Sequence, residues 1–153
     1  MRLPGSVSEL RIEPVEPDGA VEDWRHVHNV IVPPAALSPA EVEENVRRYR
    51  LEVAYLDDVL VGCTTVRPPE NGDPATVIVR VLPEYRRRGF GAALYTRALA
   101  QARELGGADI RTVIWAANED GVRFAQARGF TEVDREPDPE DGIPFLTWHL
   151  TSS

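Results

Sequence analysis

One stretch limits what this chain can fold into more than any other. Residues 77–105, VIVRVLPEYRRRGFGAALYTRALAQAREL, run from an apolar, β-branched strand through a turn holding Arg86, Arg87, Arg88, Gly89 and Gly91 straight into an amphipathic helix. Such a strand and helix must pack on one another, which calls for a layered sheet-and-helix architecture. The turn between them matters as much. N–H groups at a helix start lack intrahelical acceptors and carry the positive end of the helix dipole, so the turn can hold phosphate. Its glycines clear side chains from the approach, and its arginines add charge.

The remaining elements follow from periodicity and punctuation. Residues 8–15 alternate as a first strand, with Leu10 and Ile12 on one face. A helix is expected over residues 19–32 until Pro33-Pro34 ends it. Ser38 and Glu41 form a capping box with Pro39 at the first helical position, so a second helix is expected over residues 39–49. Strands at 51–56 and 59–67 meet at Asp57-Asp58, read as a hairpin turn, and a loop at 68–74 leads to the Val/Ile-rich strand 76–82. The helix after the glycines puts Phe90, Leu94, Ala98, Ala102 and Leu105 on one stripe and stops at Gly106-Gly107. A strand at 110–115, a helix capped by Asn118 and closed at Arg128-Gly129, and strands at 130–134 and 144–150 complete a mixed α/β order. No repeat or linker divides the 153 residues, so a single domain is expected.

Bulk properties narrow the function. The net charge of −8 argues against a broad nucleic-acid interface, which needs Lys and Arg to neutralise phosphates. The arginine triplet is then a local island suited to a small anionic ligand. A single cysteine, Cys63, fits a reducing compartment, and no apolar run approaches the ~18 residues of a membrane span. The expectation is a soluble, cytoplasmic protein with no membrane partner. His26 and His28 lie two apart and face different sides of their helix, so no metal site is expected there. Cys63 sits in a Val-Gly-Cys-Thr segment that reads as core.

Three phosphate-binding patterns place glycines between a strand and a helix. Nothing matches the GxxxxGK[ST] P-loop. A dinucleotide fingerprint from Gly89 meets Leu94 at its third glycine, and the acidic residue it needs, Asp109, precedes the next strand instead of ending it. The third pattern, [RQ]xxGxG/A, is met by Arg86-Arg87-Arg88-Gly89-Phe90-Gly91 after Val81-Leu82-Pro83-Glu84-Tyr85. With Asn118, Phe124 and then Gly129-Phe130 further on, it resembles the GNAT superfamily of acyl-CoA-dependent N-acetyltransferases. The resemblance is close over residues 75–135 and covers the first 74 only in layout.

The resemblance implies a single GNAT-like N-acetyltransferase domain over residues 1–153, of α/β (α+β) class. Its mixed, mostly antiparallel central sheet would have about seven strands, with helices on both faces. It implies acetyl-CoA as cosubstrate, with no metal, and a cofactor site at Val79, Val81, Arg86, Arg87, Arg88, Gly89, Phe90, Gly91, Ala92 and Asn118. The pyrophosphate would rest on main-chain N–H groups of residues 87 to 92. The pantetheine arm would pair with the strand at Val79 to Val81, with Asn118 reaching the same arm. Asn118 also reads as an ordinary helix cap, and the two roles are compatible. A main-chain N–H near Val81 would polarise the thioester carbonyl, with an amine attacking directly.

Two positions depart from the family pattern. The Tyr that often follows the Phe of the second motif is Ala125, and the Glu five residues before the Asn is Val113. Neither side chain does acid or base work, which typically contributes ~10²- to 10⁴-fold. Tyr85, Tyr95, Tyr55, Glu52, Asp134 and His149 are candidate substitutes that the sequence does not orient. The departures leave open a non-catalytic acyl-CoA-binding module beside an N-acetyltransferase acting on a small amine or peptide. The loop between the last two strands holds Asp134, Glu136, Asp138, Glu140 and Asp141, which would attract a cationic acceptor. A homodimer is compatible with the resemblance.

Overall fold

The computed structural model describes residues 10–17, 19–137 and 142–150. Strand β1 (Leu10–Pro14) leads to helices α1 (Val21–Ile31) and α2 (Pro39–Arg48), then strands β2 (Arg50–Leu56), β3 (Val59–Arg67) and β4 (Ala75–Val81). Helix α3 (Phe90–Glu104), strand β5 (Ile110–Trp115), helix α4 (Glu119–Ala127) and strands β6 (Thr131–Pro137) and β7 (Pro144–Leu150) follow. The expected order of elements is the observed one. Residues 8 and 9 of the expected first strand lie outside the described residues, and β6 runs three residues further than expected, to Pro137.

The strands form one seven-stranded sheet in the order β1-β2-β3-β4-β5-β7-β6. Every neighbouring pair is antiparallel except β4 and β5, which are parallel because α3 carries the chain back between them. Local chemistry sets the corners. The Ser38 hydroxyl accepts from the Glu41 N–H while the Glu41 carboxylate accepts from the Ser38 N–H, so α2 opens on the expected capping box. Asp57 takes the left-handed φ of 56° that the tight β2–β3 turn requires.

Side chains alternate across the sheet, and each face has its own helices. Leu51, Val53 and Cys63 pack with Trp24, Val27 and Ile31 of α1 and Val42 of α2. On the opposite face Val77 packs with Tyr95 and Ala98 of α3 and Ala125 of α4, and Val61 and Val81 pack with Phe90 and Leu94. Four of the five residues on the expected α3 stripe are buried, and Leu105 is half-buried. Cys63 is fully buried and burial pushes its thiol up to about 12, so it is a core residue.

Candidate active site

The site begins where two strands part. Strands β4 and β5 pair only at Ala75 with Ile110 and Thr76 with Arg111, although β4 stays on β3 as far as Val81 and β5 stays on β7 as far as Trp115. The divergence opens a cleft of about 390 Å³ through the sheet. Because the Leu82 N–H bonds to Val61 of β3, alternation turns the N–H and C=O groups of Val79 and Val81 the other way, into the cleft. The Val81 carbonyl accepts from Arg86 Nε at 2.9 Å. The Val81 N–H and both main-chain groups of Val79 have no ladder partner there.

The turn after β4 supplies a second set of donors. Arg87 and Gly89 both take left-handed φ, 64° and 84°, and curl the chain into α3. The first helical bond runs from the Ala93 N–H to the Gly89 carbonyl, and no side chain caps the helix. The N–H groups of Phe90, Gly91 and Ala92 therefore have no acceptor within the helix. A Cβ placed on Gly91 would meet Phe124 at 3.7 Å and Val81 at 3.8 Å, ordinary contacts. Packing within the protein does not require glycine here, so the open backbone is available to something outside it.

Eight of the ten expected cofactor residues line this cleft: Val79, Val81, Arg86, Arg87, Gly89, Gly91, Ala92 and Asn118. Phe90 and Arg88 are not among its lining residues, and their side chains point elsewhere. The Phe90 side chain is buried in the core, and Arg88 lies exposed over its ring, 5.2 Å from the centroid. The Asn118 side chain accepts from the Gly121 N–H at 3.1 Å and caps α4.

Asp120, which sequence reasoning did not single out, sits among the arginines of the turn. It accepts from Arg86 at 3.0 Å and from Arg123, with Arg87 4.0 Å away. Those hydrogen bonds, Arg123 first and then Arg86, hold its carboxyl below the usual range. Its signal was available: an acid in the first turn of one helix facing a triplet of arginines before another.

Most of the candidate proton-transfer groups are engaged elsewhere. Glu52 is bound by Arg97 at 2.8 and 2.9 Å and by Gln101 at 3.2 Å on the α3 face. Tyr55 donates to Asp23, and burial, followed by that bond, raises its phenol far above the ordinary value. Asp134 is exposed on β6, His149 half-buried on β7, and Tyr85 packs beside the core. Of the six, Tyr95 alone lines the cleft, its ring edge-on to Phe124 and Phe130 and its phenol pushed up by burial. Val113 and Ala125 line the cleft too, where they present only hydrocarbon.

The architecture and the cleft define a class before any relative is considered: a seven-stranded mixed sheet with helices on both faces and a splayed β4–β5 pair. Ard1 from Thermoplasma volcanium shares the fold at a TM-score of 0.78 and 18% identity, over 95% of this chain and 99% of that one. The structure of yncA, a putative acetyltransferase from Salmonella typhimurium with its cofactor acetyl-CoA, shares it at 0.71 and 18%, over 94% of each chain. Residues 16–130 match the acetyltransferase (GNAT) family, and this chain belongs to it.

Two relatives are nearer in sequence. The chain is 32% identical over 92 residues to the amino-acid acetyltransferase of Enterobacter sp. (strain 638), 60% of this chain and 20% of that one. It is 45% identical over 71 residues to the mycothiol acetyltransferase of Mycolicibacterium smegmatis, 46% of this chain and 21% of that one. The chain thus spans about a fifth of the length of these curated relatives. Among the described residues no helix is long and apolar enough to cross a membrane, and no cluster of three or more His, Cys, Asp and Glu is arranged to hold a metal ion.

Proposed function

We propose that residues 1–153 form one domain that uses acetyl-CoA to acetylate an amine of a small molecule or peptide, by direct attack in a ternary complex. One observation carries this reading. Unpaired main-chain groups of β4 and the uncapped start of α3 converge on a single cleft, beside a glycine that packing within the protein does not require.

Helix-start N–H groups suit a pyrophosphate, and a free strand edge suits an amide-bearing chain. In this reading the N–H groups of residues 87 to 92 hold the pyrophosphate. Phe90 contributes only its main chain, Arg86 and Arg87 add positive charge beside Asp120, and Arg88 adds to the potential from outside the cleft. Val79 pairs with the pantetheine arm, and the Asn118 amide reaches it while its oxygen caps α4. When bound, acetyl-CoA supplies an acyl group activated as a thioester. The Val81 N–H, fixed by the β3 ladder, is the donor for the carbonyl oxygen that gains charge. Val113 and Ala125 move no proton, so the amine reaches the cleft already deprotonated from solvent. The acidic β6–β7 loop was the basis for expecting a cationic acceptor. Its Asp138, Glu140 and Asp141 lie outside the described residues, and Asp134 and Glu136 are exposed on β6.

Thermal shift with millimolar acetyl-CoA, followed by a free-thiol assay across a panel of amines, tests the proposal. Ligand at a hundredfold its Kd stabilises by about 2.7 kcal/mol. Gly91→Glu, which puts a carboxylate where phosphate is expected, should abolish that stabilisation. No stabilisation of the parent, or equal stabilisation of both proteins, overturns the cofactor site. Tight binding with no thiol released by any amine favours the non-catalytic module, the reading that Val113 and Ala125 support.

A further inference from the structure

The cleft has a second mouth, on the α1 face, and its charge is opposite to that of the outer loop. Since Val77, Val79 and Val81 face α3, alternation turns Ile78 and Arg80 of β4 toward α1, where both line the cleft with Ile31, Val32 and Trp115. One edge of this face carries further cations in register. Arg67 of β3 and Arg111 of β5 flank Thr76 of β4 directly, which sets their Cα atoms roughly 10 Å apart at the spacing of neighbouring strands. The Arg111 Nε donates to the Thr76 hydroxyl at 3.2 Å, and the Arg67 guanidinium lies over the Tyr49 ring at 4.9 Å.

No carboxylate among the described residues lies within ion-pair distance of Arg67, Arg80 or Arg111. Three polar atoms on the same face are buried without a partner: Arg67 Nε, Thr65 Oγ1 and Trp115 Nε1. Burial presses the Arg80 and Arg67 guanidiniums below their ordinary values; the Cys63 side chain, which hydrogen-bonds Arg80, and Tyr49 beside Arg67 push back, and the neighbouring arginines add to the lowering. His28, packed over them, is held neutral, its pKa lowered to about 4 by burial and then by Arg80.

Of these groups Arg80 and Trp115 line the cleft itself, and Arg67, Arg111 and Thr65 lie further along the same face. A half-buried cation without counter-charge, beside an orphaned donor in a cleft, is costly unless an anion completes it. Resting on the acetyl-transfer reading above, we propose that this mouth binds the carboxylate of the acceptor through Arg80, with Arg67 and Arg111 reinforcing the potential, so that the substrate is a compact amine bearing a carboxylate. Arg80 adjoins Val81 in the strand, so the anion and the attacking amine lie about one side-chain length apart, the span of an amino acid. A zwitterion also enters an acidic protein without the repulsion that a free anion meets.

Initial rates of thiol release should be compared for an amino acid, its amide, its decarboxylated amine and phosphoethanolamine. The acid should exceed the amide in kcat/KM by about tenfold or more, the value of a charge-assisted hydrogen bond. Arg80→Gln should bring that ratio close to one and Arg80→Lys should restore part of it, while both variants retain stabilisation by acetyl-CoA. An amide used as well as the acid, a ratio that survives in Arg80→Gln, or a preference for phosphoethanolamine overturns the proposal. Thermal shift with an N-acetyl amino acid and its amide provides a readout that needs no turnover, and equal shifts overturn it as well. Failure of acetyl-CoA to bind would instead sink the transfer reading, and a carboxylate-dependent shift would still stand.

Discussion

Arg97 and Arg80 reach opposite faces of the same sheet, and their surroundings differ in one respect. Arg97 meets Glu52 through two bonds of 2.8 and 2.9 Å, and Gln101 adds a third to the same carboxylate. Burial alone would raise the Glu52 carboxyl; the arginine and glutamine outweigh it and hold it low. Arg80 has no carboxylate within ion-pair distance among the described residues, only the Cys63 side chain beside it. Removing one partner of a pair that the fold satisfies internally destabilises the fold, whereas a charge left unsatisfied at a cleft is a candidate recognition group.

That contrast can be broken in four ways. The largest effect should come from His28, which reports the unpaired face. Its folded pKa of about 4 lies below the ordinary 6.5, so the unfolded chain takes up a proton first as the pH falls. Stability present above pH 6.5 should decline between about pH 6.5 and 4 by up to about 3 kcal/mol. Denaturant unfolding across that range checks it, and His28→Gln should flatten the curve.

Next comes the paired face. Arg97→Met strands the Glu52 carboxylate and should destabilise the protein by about 2 kcal/mol, below the full cost of a buried pair because Arg97 is half-exposed. Arg80→Met should act in the opposite direction and stabilise the ligand-free protein by about 1 kcal/mol, since it removes a cation with no carboxylate partner among the described residues. A loss of stability comparable to that of Arg97→Met would erase the contrast. NMR of the same variant should show His28 titrating at higher pH. The smallest effect concerns the main-chain end of the cleft. Gly91→Ala relieves a helical glycine and should stabilise the ligand-free protein by roughly 0.5–1 kcal/mol while weakening acetyl-CoA binding. Calorimetry with and without ligand separates the two.

Which parts of this were readable beforehand depends on where the information lies. Gly89, Gly91 and Asn118 announced themselves because a helix start has fixed chemical needs that local sequence must meet, and the cleft runs where they stand. Arg88 and Phe90 belong to the same motif and were expected beside them. The Phe90 ring lies in the core, as its place on the apolar stripe of α3 requires, so only its main chain faces the turn, and the Arg88 side chain lies outside the cleft. Asp120 reads in the sequence only as an acid in the first turn of α4, because its partner Arg86 is 34 residues away. Arg80 was visible as a charge inside an apolar strand, VIVRV, yet nothing local says whether a carboxylate waits across the sheet.

The sequence by itself determined the order of elements, the capping of α2 and α4, the phosphate-type turn and the family. Each depends on periodicity or on contacts within a few residues. Only the tertiary structure decided that β4 and β5 part after two pairs, that Glu52 is satisfied by Arg97, and that Arg67, Arg80 and Arg111 share a face with no counter-charge among the described residues. Strand pairing and charge pairing are long-range, and the same residues in another register would meet other partners. The helix-start end of the cleft is therefore written in a motif, and the arginine face in the packing of the sheet.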